Sequence, residues 1–170
     1  MKFSHPLWFL LLLVGGFFAN VYLVAIVAGF PVTMGLLHGH TRPGWTGIFL
    51  STAFATSATG FGFPFNGVLP SHIVGAIHIV LVVIAAYALY GRRLEGGWRR
   101  IYAIMAVLAF YLLVFVLVAQ LFGKVPALRA LAPTQSEPPF AIAQGIVLVV
   151  FALLAWRAAV RFVQVPHRAA

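Results

Sequence analysis

The sequence predicts an all-α protein, a transmembrane bundle of helices that forms a single domain over residues 1–170. Three observations carry that prediction. Of the 170 residues, 63% are hydrophobic and 8% charged, whereas a soluble chain carries about 25% charged residues. The apolar residues are gathered into runs of bilayer length, separated by short stretches rich in Pro, Gly and Arg. The basic residues stand at the ends of those runs, where cytoplasmic loops retain Lys and Arg during insertion. That placement explains the formal charge of +9 without a nucleic-acid partner and adds an attraction to anionic headgroups of the lipid bilayer. Cysteine is absent, which excludes disulfides, thiolate metal sites, Cys nucleophiles and c-type haem attachment.

Five spans are expected, at about 7–30, 45–63, 70–90, 101–122 and 140–160. The chain opens like a secretory signal, with Lys2 ahead of a leucine-rich core. The apolar run from Leu7 to Phe30 exceeds the roughly 7–15 residues of a signal core, so it reads as a retained first helix. Asn20, near its middle, is expected to hydrogen-bond a neighbouring helix. Pro31 kinks the helix or ends it near Phe30. His38-Gly39-His40 and Arg42-Pro43-Gly44 then read as a loop. A His-x-His pair shares a face on a strand but points about 200° apart on a helix, so no metal is expected there.

Trp45 to Phe63 is uncharged and rich in Ser, Thr, Ala and Gly. Thr52, Thr56 and Gly60, with Ala53 and Ser57 beside them, form a small-residue stripe that lets helices approach closely in lipid. The competing reading is a re-entrant or surface segment, which leaves four spans. Phe63-Pro64-Phe65-Asn66-Gly67 is a turn, and Pro70 suits the first turn of the next helix. That helix carries His72 and, about 9 Å deeper, His78. Arg92, Arg93, Arg99 and Arg100 mark a cytoplasmic loop, with Glu95 and Arg99 spaced to pair across one helical turn. Ile101 to Phe122 is a span with Gln120 near its far end. A loop with four prolines follows, and the last span begins near Phe140 with Gln144 close to its start.

With five spans, Arg42, Arg92, Arg93, Arg99, Arg100, Arg157, Arg161 and Arg168 lie inside and Lys2, Lys124 and Arg129 outside, a division of eight to three. If 45–63 does not span, Lys2 and Arg42 exchange sides and the division is unchanged. Positive charge therefore fixes the last three spans and leaves the second open. The five-span reading places the N-terminus in the periplasm and the C-terminus in the cytoplasm of a bacterial inner membrane.

In both topologies His72, His78, Gln120, Gln144 and Glu137 gather toward the non-cytoplasmic side. This polar group is the candidate site. His78 inside a span is costly unless partnered, and imidazole titrates near neutrality, so the group suits a proton relay or a hydrogen bond to a quinone carbonyl. The bland alternatives are that His78 bonds a neighbouring Gln or Thr, and that Glu137 pairs with Arg129 or Lys124 in its own loop. No catalytic constellation and no metal site are expected.

Haem b is the cofactor considered, and none is predicted outright. A bis-histidine haem needs His on different helices at one depth. His72 and His78 share a helix, so a partner would come from His38 or His40, which only the four-span topology brings to the same side. No internal repeat or central charged pair suggests a transporter.

The stretches SATGFGFPFNGVLPSHIVGAI, GRRLEGGWRRIYAI and KVPALRALAPTQSEPPFAIAQ resemble a family of uncharacterised small inner-membrane proteins of proteobacteria, over roughly residues 41–150. The resemblance implies a bacterial inner membrane and a compact multi-span domain, and it transfers no activity or cofactor. A looser likeness is to small multi-span proteins with a His-containing first loop, some suspected of binding haem. Together these readings point to an accessory or interaction protein of a larger membrane complex, or a small homo-oligomer. The redox or proton-relay use of His72 and His78 is the alternative.

Overall fold

A computed structural model describes residues 5–60 and 70–164. Among these residues every element is helical: α1 (His5–Leu37), α2 (Pro43–Gly60), α3 (Pro70–Ala86), α4 (Trp98–Lys124), α5 (Pro126–Leu131) and α6 (Pro138–Gln164). Lys2, Arg168, the turn around Asn66 and the final residues of the 45–63 segment lie outside the described residues.

Among the described residues, four helices are long and apolar enough to cross a membrane, at Ala19–Leu37, His72–Gly91, Trp98–Lys124 and Pro138–Phe162. The architecture is that of a helical membrane protein, with polar backbone groups satisfied inside each helix as a bilayer requires. The 18-residue α2 is not one of the four, because its Ser, Thr and Gly residues dilute its apolar ones. It nevertheless packs between α1 and α3. Near its start the Thr46 hydroxyl lies 3.4 Å from the Tyr102 hydroxyl, in the second turn of α4. Near its end Ser57 meets His78 of α3. α2 therefore runs along the bundle rather than across its surface.

These contacts define two ends. At one, which we term the arginine end, lie the α1–α2 loop, the α3–α4 loop and the last turns of α6, joined by the Tyr102 and Phe162 rings at 5.8 Å. At the other lie the end of α2, the start of α3 and the α4–α6 connection, where Phe122 and Phe140 stack edge-on at 5.4 Å. His38 and His40 are at the arginine end, and His72 is at the opposite one.

α4 is the central element, contacting α1, α3, α5 and α6. Its Phe110 is buried, with the rings of Phe30, Phe49 and Phe151 at 5.1, 6.2 and 5.3 Å, each nearly perpendicular to it. Edge-to-face geometry aligns ring edges with ring faces of opposite partial charge. α1 contributes Gly29 at this level: a Cβ there would overlap the Phe110 ring. The absent side chain is what lets α1 lie against α4.

One helix boundary and two side-chain placements differ from the sequence expectation. α1 continues through Pro31 to Leu37, because ending at Phe30 would strip backbone groups of their partners and uncover Val32 and Leu36, both buried. The helix stops instead at Gly39, whose φ of 79° is left-handed backbone that glycine adopts freely. Asn20 does not reach another helix; its amide donates to the Gly16 carbonyl of its own helix at 2.8 Å. The α2 face that packs is Thr46, Phe49, Leu50, Ala53 and Ser57, all buried, whereas Thr52 donates back to the Ile48 carbonyl of α2 itself.

At the arginine end, α3 closes with a π-helical turn, Tyr87–Gly91, in which the Arg92 N–H donates to the Tyr87 carbonyl at 2.9 Å. Arg93 and Leu94 follow at φ of 46° and 59°. Stacking holds this strained loop: Trp98 meets Tyr87 edge-on at 5.3 Å, and Arg92 lies 5.6 Å above the Trp98 ring. Arg99 lies over the Phe162 ring at 4.9 Å, tying the start of α4 to the last turns of α6.

Gly29→Leu is expected to lower stability in detergent by about 1–3 kcal/mol through overpacking against Phe110. Gly47→Ala, where an added Cβ meets nothing within 4 Å, should leave stability unchanged or raise it slightly. Thermal or denaturant unfolding followed by circular dichroism distinguishes the two.

Candidate functional site

A cavity of about 440 Å³ opens among α1, α2, α3 and α4, toward the end opposite the arginines. Its walls are mostly aliphatic and aromatic, including Leu112, Leu113, Phe115 and Val116 of α4. Polar groups enter from every side: Tyr22 from α1, Thr56 and Ser57 from α2, His72 and His78 from α3, and Gln120 from α4.

The deepest polar contact is between Ser57 and His78. The Ser57 Oγ lies 2.5 Å from His78 Nδ1, and both side chains are buried. Two hydrogens belong to this pair, one on oxygen and one on the imidazole, but only one can lie between the two atoms. If Ser57 donates, the ring proton sits on Nε2; if the ring donates, the serine hydroxyl keeps its own. Either way one donor remains for a third group. Nε2 has no hydrogen-bond partner among the described residues. The Ala109 carbonyl of α4 faces the ring without good hydrogen-bond geometry.

His72 stands six residues earlier on α3, buried at the outer rim of the cavity. Tyr22 is anchored across the cavity: its hydroxyl donates to the Leu113 carbonyl at 2.6 Å, tying α1 to α4. At the rim, Gln135 adopts φ of 59° and its amide donates to the Ala119 carbonyl at 2.8 Å. This bond draws the α5–α6 loop over the end of α4.

Of the residues singled out from sequence, the structure brings His72, His78 and Gln120 to this cavity. Gln144 does not line it. Gln144 is buried on the seam between α4 and α6, where its amide donates to the Phe115 carbonyl at 3.1 Å and its Oε1 has no partner among the described residues.

Glu137 is outside the cavity as well. Its carboxylate accepts the Thr134 hydroxyl at 2.8 Å and the backbone N–H groups of Thr134 and Ser136 at 3.1 Å, so the loop itself holds it rather than Arg129 or Lys124. Its backbone carbonyl accepts from Phe140 and Ala141, and Pro138 and Pro139 occupy the first helical positions of α6, where no N–H is needed. Partial desolvation acts against the charge, but the Thr134 hydroxyl and the backbone N–H donors outweigh it and hold the carboxyl below the ordinary carboxylate range.

His38 and His40 lie side by side, ring centroids 6.3 Å apart, with His38 Nδ1 2.7 Å from the Met34 carbonyl. They are at the opposite end from His72 and His78. No group of three metal-ligating side chains occurs among the described residues.

Sequence reasoning placed Thr56 and Ser57 in a stripe of packing residues and passed over Tyr22. The usable signal was the placement of Ser57 and His78 on consecutive apolar segments, each a buried polar group requiring a partner. Comparison with family models, characterised proteins and solved structures finds no match for this chain.

Ser57→Ala is expected to cost about 1–3 kcal/mol, because it leaves a buried imidazole nitrogen unsatisfied. Removing both partners, as Ser57→Ala with His78→Leu, should cost less than the sum of the single changes, a coupling that a double-mutant unfolding cycle measures. Glu137→Gln should lower the melting temperature modestly at neutral pH. A depressed carboxyl stabilises fully above its unfolded-state pKa and loses that contribution as pH falls through its folded-state value. The difference between wild type and variant should therefore shrink below the usual carboxylate range.

Proposed function

We propose that this protein is a ligand-binding accessory subunit of a bacterial inner-membrane complex, with five spans, a periplasmic N-terminus and a cytoplasmic C-terminus. Its ligand is a small, largely apolar molecule carrying one or two carbonyl or hydroxyl groups, such as a quinone headgroup. The carrying observation is the cavity of about 440 Å³ with the Ser57–His78 pair in its wall. Its size falls in the range of small-molecule sites, and an apolar enclosure with few polar contacts is their usual makeup. The spare donor of the Ser57–His78 pair suits a carbonyl oxygen.

A binding role is favoured over catalysis because the residues lining the cavity include no carboxylate to orient His78. Support for the fifth span comes from α2 running the length of the bundle between Thr46–Tyr102 and Ser57–His78. At about 27 Å it nearly matches the hydrocarbon thickness of a membrane. Support for the orientation comes from the arginines gathered at one end.

Titration with a short-chain benzoquinone tests the reading by thermal shift in detergent. Saturation at about 100 times Kd should stabilise the wild type by roughly 2.7 kcal/mol. Val116→Trp, which fills the cavity, and His78→Ala should abolish the shift. A quinone shift that survives both changes, or none in the wild type, sinks the proposal.

A further inference from the structure

A second recess lies between α4 and α6, toward the arginine end. It measures about 360 Å³ and is lined by Arg100 and Ile104 of α4 and by Ala155, Trp156, Ala159 and Val160 of α6. Ala155 and Ala159 are one helical turn apart and both are buried, so the α6 surface is cut back where neighbouring positions carry large side chains. Trp156 stands beside the recess at 66% exposure, a large aromatic wall with no protein against its outer face.

The recess has a polarity. Arg100 is in the first turn of α4 and is exposed, and Ile104 lies one turn deeper along the same face. A molecule in this groove would meet a guanidinium at its head and hydrocarbon and indole below. The surrounding charge has the same sign: this end carries Arg42, Arg92, Arg93, Arg99, Arg100, Arg157 and Arg161 against Glu95 alone. Arg92 and Arg99 are engaged by aromatic rings, over Trp98 and Phe162, so they help shape the end rather than line the groove.

We propose that this groove is a specific site for an anionic diacyl phospholipid, with its phosphate on Arg100 and one acyl chain running between Ile104 and Trp156. A guanidinium matches phosphate oxygens with paired N–H donors, a stronger and more directional contact than diffuse surface attraction. Tryptophan at headgroup depth offers an amphipathic face to the upper acyl chain. The charge pattern selects an anionic headgroup over a zwitterionic one, and the apolar floor selects a lipid over free phosphate.

Native mass spectrometry from micelles containing equal phosphatidylglycerol and phosphatidylcholine of identical chains tests the site. The wild type should retain one phosphatidylglycerol preferentially. Arg100→Gln should reduce that retention about tenfold, the effect of losing one good charge-assisted contact. Ala159→Phe fills the groove without changing charge and should reduce it as well. Trp156→Ala, at an exposed position, removes a wall of the groove and should reduce retention likewise, which keeps the test open if Ala159→Phe does not fold. Arg93→Gln removes an equal charge outside the groove and should leave retention near the wild-type level. Equal losses in Arg93→Gln and Arg100→Gln, or full retention in a folded groove variant, would mean diffuse electrostatic attraction and overturn the proposal. Added inorganic phosphate should not displace the lipid; displacement would equally overturn it.

Discussion

The bundle depends on the spare acceptor capacity of the α4 backbone. A helical carbonyl uses one lone pair for the helix and retains a second. In α4 that second acceptor is taken three times: by Tyr22 of α1 at Leu113, by Gln144 of α6 at Phe115, and by Gln135 of the outer loop at Ala119. Apolar surface gives no net drive for helix association in lipid, so hydrogen bonds and close contact must do that work. Here side-chain donors converge on one helix from two other helices and a loop. The aromatic cluster around Phe110 supplies the close contact one turn toward the arginine end.

This arrangement also explains the cavity. Tyr22 and Gln135 tie α1 and the outer loop to α4, and the Ser57–His78 pair ties α2 to α3, so each wall of the cavity is held by a polar contact. The space between them is thereby kept from closing on aliphatic side chains. An apolar enclosure held open by polar struts differs from a core with a packing defect, because each strut has a defined partner.

Much of this was legible in the sequence, for identifiable reasons. Helical class and the long apolar spans follow from composition and run length, which the bilayer constrains directly. The arginine loop and the clustering of His72, His78 and Gln120 follow from where each residue stands in its run. Other features required three dimensions. The continuation of α1 past Pro31 depends on Val32 and Leu36 finding cover, and cover is a tertiary property. Gln144 and Gln120 look alike in sequence, each near the outer end of a span, but helix rotation sends one to the α4–α6 seam and the other to the cavity. Glu137 looked like half of an ion pair, whereas local hydroxyl and backbone donors reach it first. The Ser57–His78 pairing was hidden because a stripe of small residues has an adequate explanation in packing alone.

The π-helical turn at Tyr87–Gly91 carries a consequence for how the chain tolerates change. Such a turn holds one more residue than an ordinary helical turn, and the extra residue is absorbed locally. Val82 and Ala85 keep their buried register below it and Ala88 is buried within it, while the loop above begins from a separate phase. The phase of the arginine-end loop is thus set apart from that of the buried face of α3. Loop length and charge at the arginine end can drift between descendants of this chain without turning His72 or His78 out of the cavity wall, which leaves the membrane-surface half and the buried half of the protein free to evolve as separate parts.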